Sequence, residues 1–448
     1  MERLTRRDWV VLLGAAAALR VAVVFGALHK LPLVSDAGEY ARQAAAMSHH
    51  FPGPPAYYWP PGQSLYLLPF YEAFGTSAAV AKSASILVDL AVVALTVLLA
   101  ARVVVGRAAA LVSGWTMALL PSAVLMSGEP YSFALTEACL LGTALLLFAG
   151  AERRSWALLG AAGAVFGFAV LVRPSVVSVL LVLAAVAGVL GRRRPRAWLL
   201  AGGAAFVVAG CAVVVPAVLH NERHGQGWTV STANEQNLWL GNNPYTPDYK
   251  TWELGQHPPS AFRPAVARYL ERFGVGHPTR AQRSAMLHET RRFVSHHLAT
   301  TALRTFDRVQ AFWGFDYTMS TDIRDAFGLS LAAVAPLLAL EAGAYLALLL
   351  LALVALLFAR ARLRTRAVLF VLALVAGYQL SYALAYAAGR WHLPVLGLIA
   401  PLAAVGLLWL RSTPGSLAVL ARSRSFWIAA AVVAAVQVVY AYVVWTHA

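Results

Sequence analysis

Lysine is nearly missing from this chain: Lys30, Lys82 and Lys250 are the only three in 448 residues. Acidic residues are also scarce, 20 Asp and Glu against 36 Lys and Arg, and only 12% of positions are charged. A soluble domain carries about a quarter, so a water-soluble globular protein is excluded. The two cysteines, Cys139 and Cys211, both fall within apolar runs, which leaves no disulfide framework and no CxxC metal site. There is no GxGxxG, Walker loop or GxSxG elbow, hence no sequence signature of a nucleotide cradle. His49-His50, His288 and His296-His297 lack any specific ligand spacing. No cofactor is assigned, and a divalent metal is left open.

Long apolar runs take the place of charge. The chain is 60% hydrophobic with a mean hydropathy of +0.65, which defines an all-α polytopic membrane protein. Eleven spans are expected: Trp9–Leu28, Ser77–Val105, Ala108–Met126, Tyr131–Ala149, Trp156–Val172, Pro174–Leu190, Ala197–Leu219, Glu341–Ala359, Ala367–Ala387, Leu393–Leu410 and Phe426–Trp445. The first is too long, and lacks a small-residue cleavage site, to be a removed signal peptide. The net charge of +16 would suggest a nucleic-acid partner in a soluble domain. Here the arginines occupy short alternate loops: Arg3/Arg6/Arg7, Arg102/Arg107, Arg153/Arg154, Arg192–Arg196, Arg360–Arg366, and Arg411/Arg422/Arg424. The positive-inside rule makes that side cytoplasmic, and no nucleic acid is expected.

The opposite, outer side then receives a loop over residues 29–76, the Gly128-Glu129-Pro130 and Arg173-Pro174 turns, an extracytoplasmic segment over 220–330, and Gly389-Arg390. Residues 1–219 form an N-terminal membrane module and 331–448 the C-terminal helices. Gln63–Phe74 is apolar but too short to span, and suits a helix at the interface. One amphipathic helix is expected from Thr279 to Phe312, with Met286, Phe293, Leu298, Leu303, Phe306 and Phe312 as its apolar stripe.

The outer loop holds Asp36 and Glu39, followed by Tyr57-Tyr58-Trp59-Pro60-Pro61. Asp36-x-x-Glu39 has two readings. One is a helix cap in which the glutamate reaches back; the other is a general base that takes a proton from an acceptor hydroxyl, with Tyr40 on the same face. Arg173 lies between apolar helices with no acidic neighbour in sequence. An arginine there is expensive unless paired, and its fork suits two phosphate oxygens; snorkelling to the surface is the plainer alternative. Arg390 and His392 in Gly389-Arg390-Trp391-His392-Leu393-Pro394 could face the same anion. Lys82 is a third cationic candidate. Glu129 opens a helix as a first-turn acid, and Glu137 lies two turns deeper. Arg20 and Asp89 each sit 11–12 residues from a helix end, roughly 16–18 Å deep at 1.5 Å per residue, which suggests a structural ion pair.

Five stretches in order carry a family likeness: SDAGEYARQAAAM with YYWPPGQSLYLLPFYEAFG, VLVRPS, VSTANEQNLWLGNNP, RRFVSHHLATTALRTFDRVQAFW and GRWHLP. Together they resemble the bacterial GT-C membrane glycosyltransferases of the protein-mannosyltransferase and aminoarabinose-transferase type (glycosyltransferase family 39-like). The resemblance implies a membrane helical core with an outer domain, in the bacterial cytoplasmic membrane. It implies a polyprenyl-phosphate-linked sugar as donor and an unidentified hydroxyl acceptor, with membrane lipid as the surroundings. It makes Asp36 the catalytic carboxylate and Arg173 and Arg390 the holders of the lipid phosphate. Glu39, Tyr40, Asn242 and Asn243 would then shape the sugar or acceptor pocket. The protein-mannosyltransferases have an adjacent Asp-Glu pair where this chain has Asp36-Ala37, so acceptor class is not carried over. A transporter or flippase of a lipid-linked glycan, using the same arginines only to bind, is the rival expectation.

Overall fold

A computed structural model describes residues 4–190 and 195–446. Arg3 and Arg192–Arg194 of the basic loops lie outside the described residues. The fold is 79% helical with no strand among the described residues. Among the described residues, eight helices are long and apolar enough to cross a membrane: Arg6–Ala27, Ala78–Val103, Ser132–Arg153, Arg196–Arg223, Leu331–Phe358, Thr365–Leu384, Gly389–Ser412 and Arg424–Trp445. The protein is therefore an all-α multi-pass membrane protein.

The remaining three expected spans are shorter. Trp156–Val172 and Pro174–Val186 have fewer than 18 residues. The expected Ala108–Met126 span is divided into Arg107–Leu119 and Pro121–Met126, because Pro121 cannot donate to the helix ladder and pushes Leu120 into an extended conformation. Leu200, Val207, Val208, Leu181, Leu340 and Val438 project outward from their helices, the apolar exterior that lipid contact requires.

The basic loops meet at one end of the bundle. Arg107 pairs with Asp8 at 2.6 Å, Arg102 pairs with Glu152, and Arg362 donates to the Ser412 hydroxyl at 2.8 Å. Backbone bonds join Val105 to Arg362 and Arg364 to Val103. At the other end, residues 220–236 clasp the Tyr57-Tyr58 loop. Asn221 accepts from the Tyr57 amide at 2.8 Å, the Thr232 amide donates to Tyr57, and Gln236 donates to the Tyr58 hydroxyl at 2.8 Å.

The Thr279 helix start is seen with a full capping box to Gln282. The single helix expected beyond it is two, Arg280–His296 and Leu298–Phe312, broken at His297. Met286, Phe293 and Phe312 are buried as expected, whereas Leu298, Leu303 and Phe306 are exposed. The second helix turns its polar face inward. Arg308 donates to the carbonyls of Leu384 and Gly241 and to Asn242, and Arg304 donates to Asn243, Thr246 and Asp248. Arg308 ties this segment to the Thr365–Leu384 helix, and Arg304 braces the turn at Asn243, Thr246 and Asp248.

In the membrane core, Arg20 and Asp89 form the expected ion pair. Arg20 also donates to the Ala118 carbonyl at 2.9 Å and more weakly to Met117 and Ala16, so the guanidinium ties the first helix to two others. Glu137 is buried and accepts from the Gly397 amide. Removing one partner of such a pair leaves a buried uncompensated charge, at about 3–5 kcal/mol. Asp89→Ala should therefore lower folded yield in detergent by fluorescence size-exclusion more than Arg20→Ala/Asp89→Ala does; equal yields would show that the pair is not coupled.

Candidate functional site

Two glycines bring the site together. A Cβ on Gly62 would overlap the Leu171–Val172 backbone, so only glycine lets the aromatic loop settle against the turn that carries Arg173. Gly389 packs just as closely on the carbonyls of Gly314 and Phe315, which sets the Arg390 turn beside Asp316.

Asp36 lies in the first turn of the Ser35–His49 helix, but it does not cap it. Val34 occupies the cap position, and no side chain caps the helix. Glu39 does not reach back; it pairs with Arg42 on the outside. The only hydrogen bond to Asp36 among the described residues is a 3.4 Å one from the Ser35 hydroxyl. Ser35 itself has φ +52°, a left-handed conformation that costs a side-chain-bearing residue about 1–2 kcal/mol and that concentrates at functional positions. The capping reading of Asp36-x-x-Glu39 is thus replaced: the carboxylate is left free of the helix.

Pro174 forces Arg173 out of the preceding helix into an extended conformation. Its guanidinium donates to the Ser132 hydroxyl at 2.8 and 3.1 Å and to the Tyr382 hydroxyl at 2.8 Å, and lies 4.5 Å from the Phe133 ring centre. Tyr382 is in turn bonded to Ser175 and Tyr378, each at 2.9 Å. All of these partners are neutral, so Arg173 keeps its full charge.

Arg390 makes no hydrogen bond among the described residues, and its guanidinium carbon sits 5.8 Å from the Tyr131 ring. Asp36 is the charged group that acts on it most strongly, followed among charges by Asp316 and Arg173. Tyr40, buried, feels both Asp36 and Arg173. Burial first, then Asp36, pushes the Tyr40 phenol up to about 12, so it is a hydroxyl donor at neutral pH. Asp36, Tyr40, Arg173 and Arg390 therefore share one electrostatic neighbourhood, drawn from four parts of the chain.

A cavity of about 150 Å³ opens on the Arg390 side of this cluster, lined by Ser35, Tyr131, Trp252, Asp316, Asp322 and Arg390 among others, with Asp36, Tyr40 and Arg173 outside its lining. Beneath it a pocket of about 30 Å³, room for about one water, is lined by Glu129, Tyr131, Glu137 and Asp89. The Glu129 Oε2 and the Tyr131 hydroxyl are both buried without a partner. A larger open groove of about 900 Å³, along His288, Arg292 and His296, belongs to the outer segment and shares no lining residue with these two.

Several expected site residues are placed elsewhere. Lys82 is buried and donates to the Leu31 carbonyl at 2.6 Å, anchoring the outer loop. Asn242 donates to Leu238 and Leu384, and Asn243 to Trp239, while its Oδ1 accepts from the amides of Tyr245 and Thr246; both side chains hold a buried turn. His392 does not share an anion with Arg390: it is buried, bonded to the Phe312 carbonyl at 3.0 Å and stacked on Tyr345 at 4.2 Å. The site instead recruits Tyr131, Ser132, Tyr382, Asp316 and Asp322, none of which the sequence singles out. No group of three His, Cys, Asp or Glu among the described residues is arranged to hold a metal.

The fold and this cluster define a multi-pass membrane protein with a charged cavity at one end of the bundle. No family model matches the chain, and no curated protein matches it.

Burial raises Glu129 to about 8, Lys82 opposing and Asp322 adding to the effect. An acid whose folded pKa is raised holds its proton in the native state at pH values where the unfolded chain has lost it. Stability should then fall as pH rises from about 4.5 through about 8 and level off above. Glu129→Gln should flatten that part of the thermal-midpoint profile; an unchanged slope would show that Glu129 is ionised in the fold.

Proposed function

We propose that this protein is an integral-membrane glycosyltransferase that moves one sugar from a polyprenyl-phosphate-linked donor to a hydroxyl acceptor. In this reading it works at the outer face of the bacterial cytoplasmic membrane, with a GT-C-type fold of about eleven passes that includes the three shorter helices. The observation that carries the reading is the Asp36 carboxylate, free of any capping role, acting on an unbonded Arg390, with Arg173 across Tyr40.

Asp36 takes the proton from the acceptor hydroxyl. The acceptor oxygen bonds to the anomeric carbon while the bond from that carbon to the phosphate oxygen breaks, and the electron pair leaves with the polyprenyl phosphate. Arg390 and Arg173 balance the charge that gathers on the departing phosphate, where fixed cations in a dry site act strongly. Tyr40 supplies a hydroxyl between base and cation. A single displacement with no covalent intermediate inverts the anomeric carbon. A donor carried in the bilayer also fits a chain that has no sequence signature of a nucleotide cradle.

The test is Asp36→Asn in purified protein with radiolabelled polyprenyl-phosphate sugars. General-base catalysis contributes about 10²–10⁴-fold, so transfer should fall by at least about a hundredfold while donor binding stays. Transfer at the wild-type rate would remove Asp36 from the chemistry; lipid translocation with no glycosylated product would favour a flippase.

A further inference from the structure

The cavity beside Arg390 is chemically specific beyond its cation. Asp316 is 4% exposed. Its Oδ1 accepts from the Thr318 amide at 3.0 Å, and its Oδ2 is buried with no partner. The Asp322 Oδ2 is likewise buried and unpartnered, and so is the Tyr131 hydroxyl. All three residues line the same space. Trp252, 2% exposed, and Tyr317 supply aromatic wall, and Arg390 supplies free donors. Burying acceptors of this kind without partners is costly, and a ligand rich in donors would recover that cost.

What fits is narrow. Carboxylates accept hydrogen bonds only, and a guanidinium donates only; a hydroxyl does both. A polyol ring therefore satisfies every group at once, and its C–H faces can lie against Trp252 and Tyr317. The cavity, about 150 Å³, is several times what one water needs and takes a sugar ring. An acidic ring would set its own carboxylate against Asp316 and Asp322. No three acids are arranged to hold a metal among the described residues, so the unpartnered oxygens are not an assembled cation site.

We propose that this cavity receives the sugar ring of the donor, that the sugar carries no acidic group, and that Asp316 and Asp322 are its specificity-determining residues. Ring hydroxyls donate to the two carboxylates, and Arg390 stands where the ring meets the phosphate. This rests on the reading of the protein as a lipid-phosphate sugar transferase.

The test measures binding by native mass spectrometry of the full chain in detergent. The probes are undecaprenyl phosphate, its glucose, mannose and galactose derivatives, and its galacturonate derivative. At least one neutral derivative should bind about tenfold or more tightly than the galacturonate one, a gap of about 1.4 kcal/mol. Asp322→Asn and Asp316→Asn should each narrow that gap to within about threefold (0.7 kcal/mol), with monodisperse elution in detergent reporting that the variants are folded. Equal binding of galacturonate and neutral derivatives, or a gap that neither variant alters, overturns the assignment while the transferase reading stands. Failure of every probe, undecaprenyl phosphate included, overturns both.

Discussion

A guanidinium near the hydrocarbon of a bilayer has to be paired or held by other groups, and this protein shows both. Arg20 is cancelled by Asp89 deep among the helices, and the pair is structural. Arg173 is held in place by the hydroxyls of Ser132 and Tyr382 and the face of Phe133, groups that orient it without neutralising it. The surplus positive charge at the outer turn is the constraint on which the rest of the site depends. It favours an anion beside Arg173 and Arg390, which in the proposed reaction is the donor phosphate.

The acidic side answers it at a distance. Asp36 and Asp316 both act on Arg390 without bonding to it, and Tyr40 feels both Asp36 and Arg173. A base that closed an ion pair with its neighbouring cation would lose both proton affinity and reach. The left-handed Ser35 and the absence of a side-chain cap keep Asp36 out of the local bonds that a helix start usually offers. Backbone strain of about 1–2 kcal/mol at Ser35 is thus the cost of leaving the carboxylate unengaged.

Much of this was legible in the sequence, because charge in an apolar background stands out. Asp36, Arg173 and Arg390 are conspicuous among so few charged residues, and the matched depth of Arg20 and Asp89 announces their pairing. Tyr131, Asp316 and Asp322 were not legible: hydroxyls and outer-segment acids look like ordinary solvated residues until Gly389 seats the Arg390 turn on Gly314 and Phe315. His392, Asn242, Asn243 and Lys82 had the right chemistry and the wrong direction, since each is bonded to a backbone carbonyl. Periodicity misled at Leu303 and Phe306 for a related reason. In a membrane protein the apolar stripe of a helix can face outward, and the buried side of Leu298–Phe312 is the one carrying Arg304 and Arg308.

In the proposed reaction Asp36, Arg173 and Arg390 surround a single lipid phosphate. An electron cryo-microscopy structure in nanodiscs containing undecaprenyl phosphate tests it directly. Phosphate density is expected against Arg390, on the Arg173 side of Tyr40, with the polyprenyl tail leaving between helices. Phosphate density on the outer groove at Arg292 instead, with the Arg390 cavity closed to the bilayer, would contradict it.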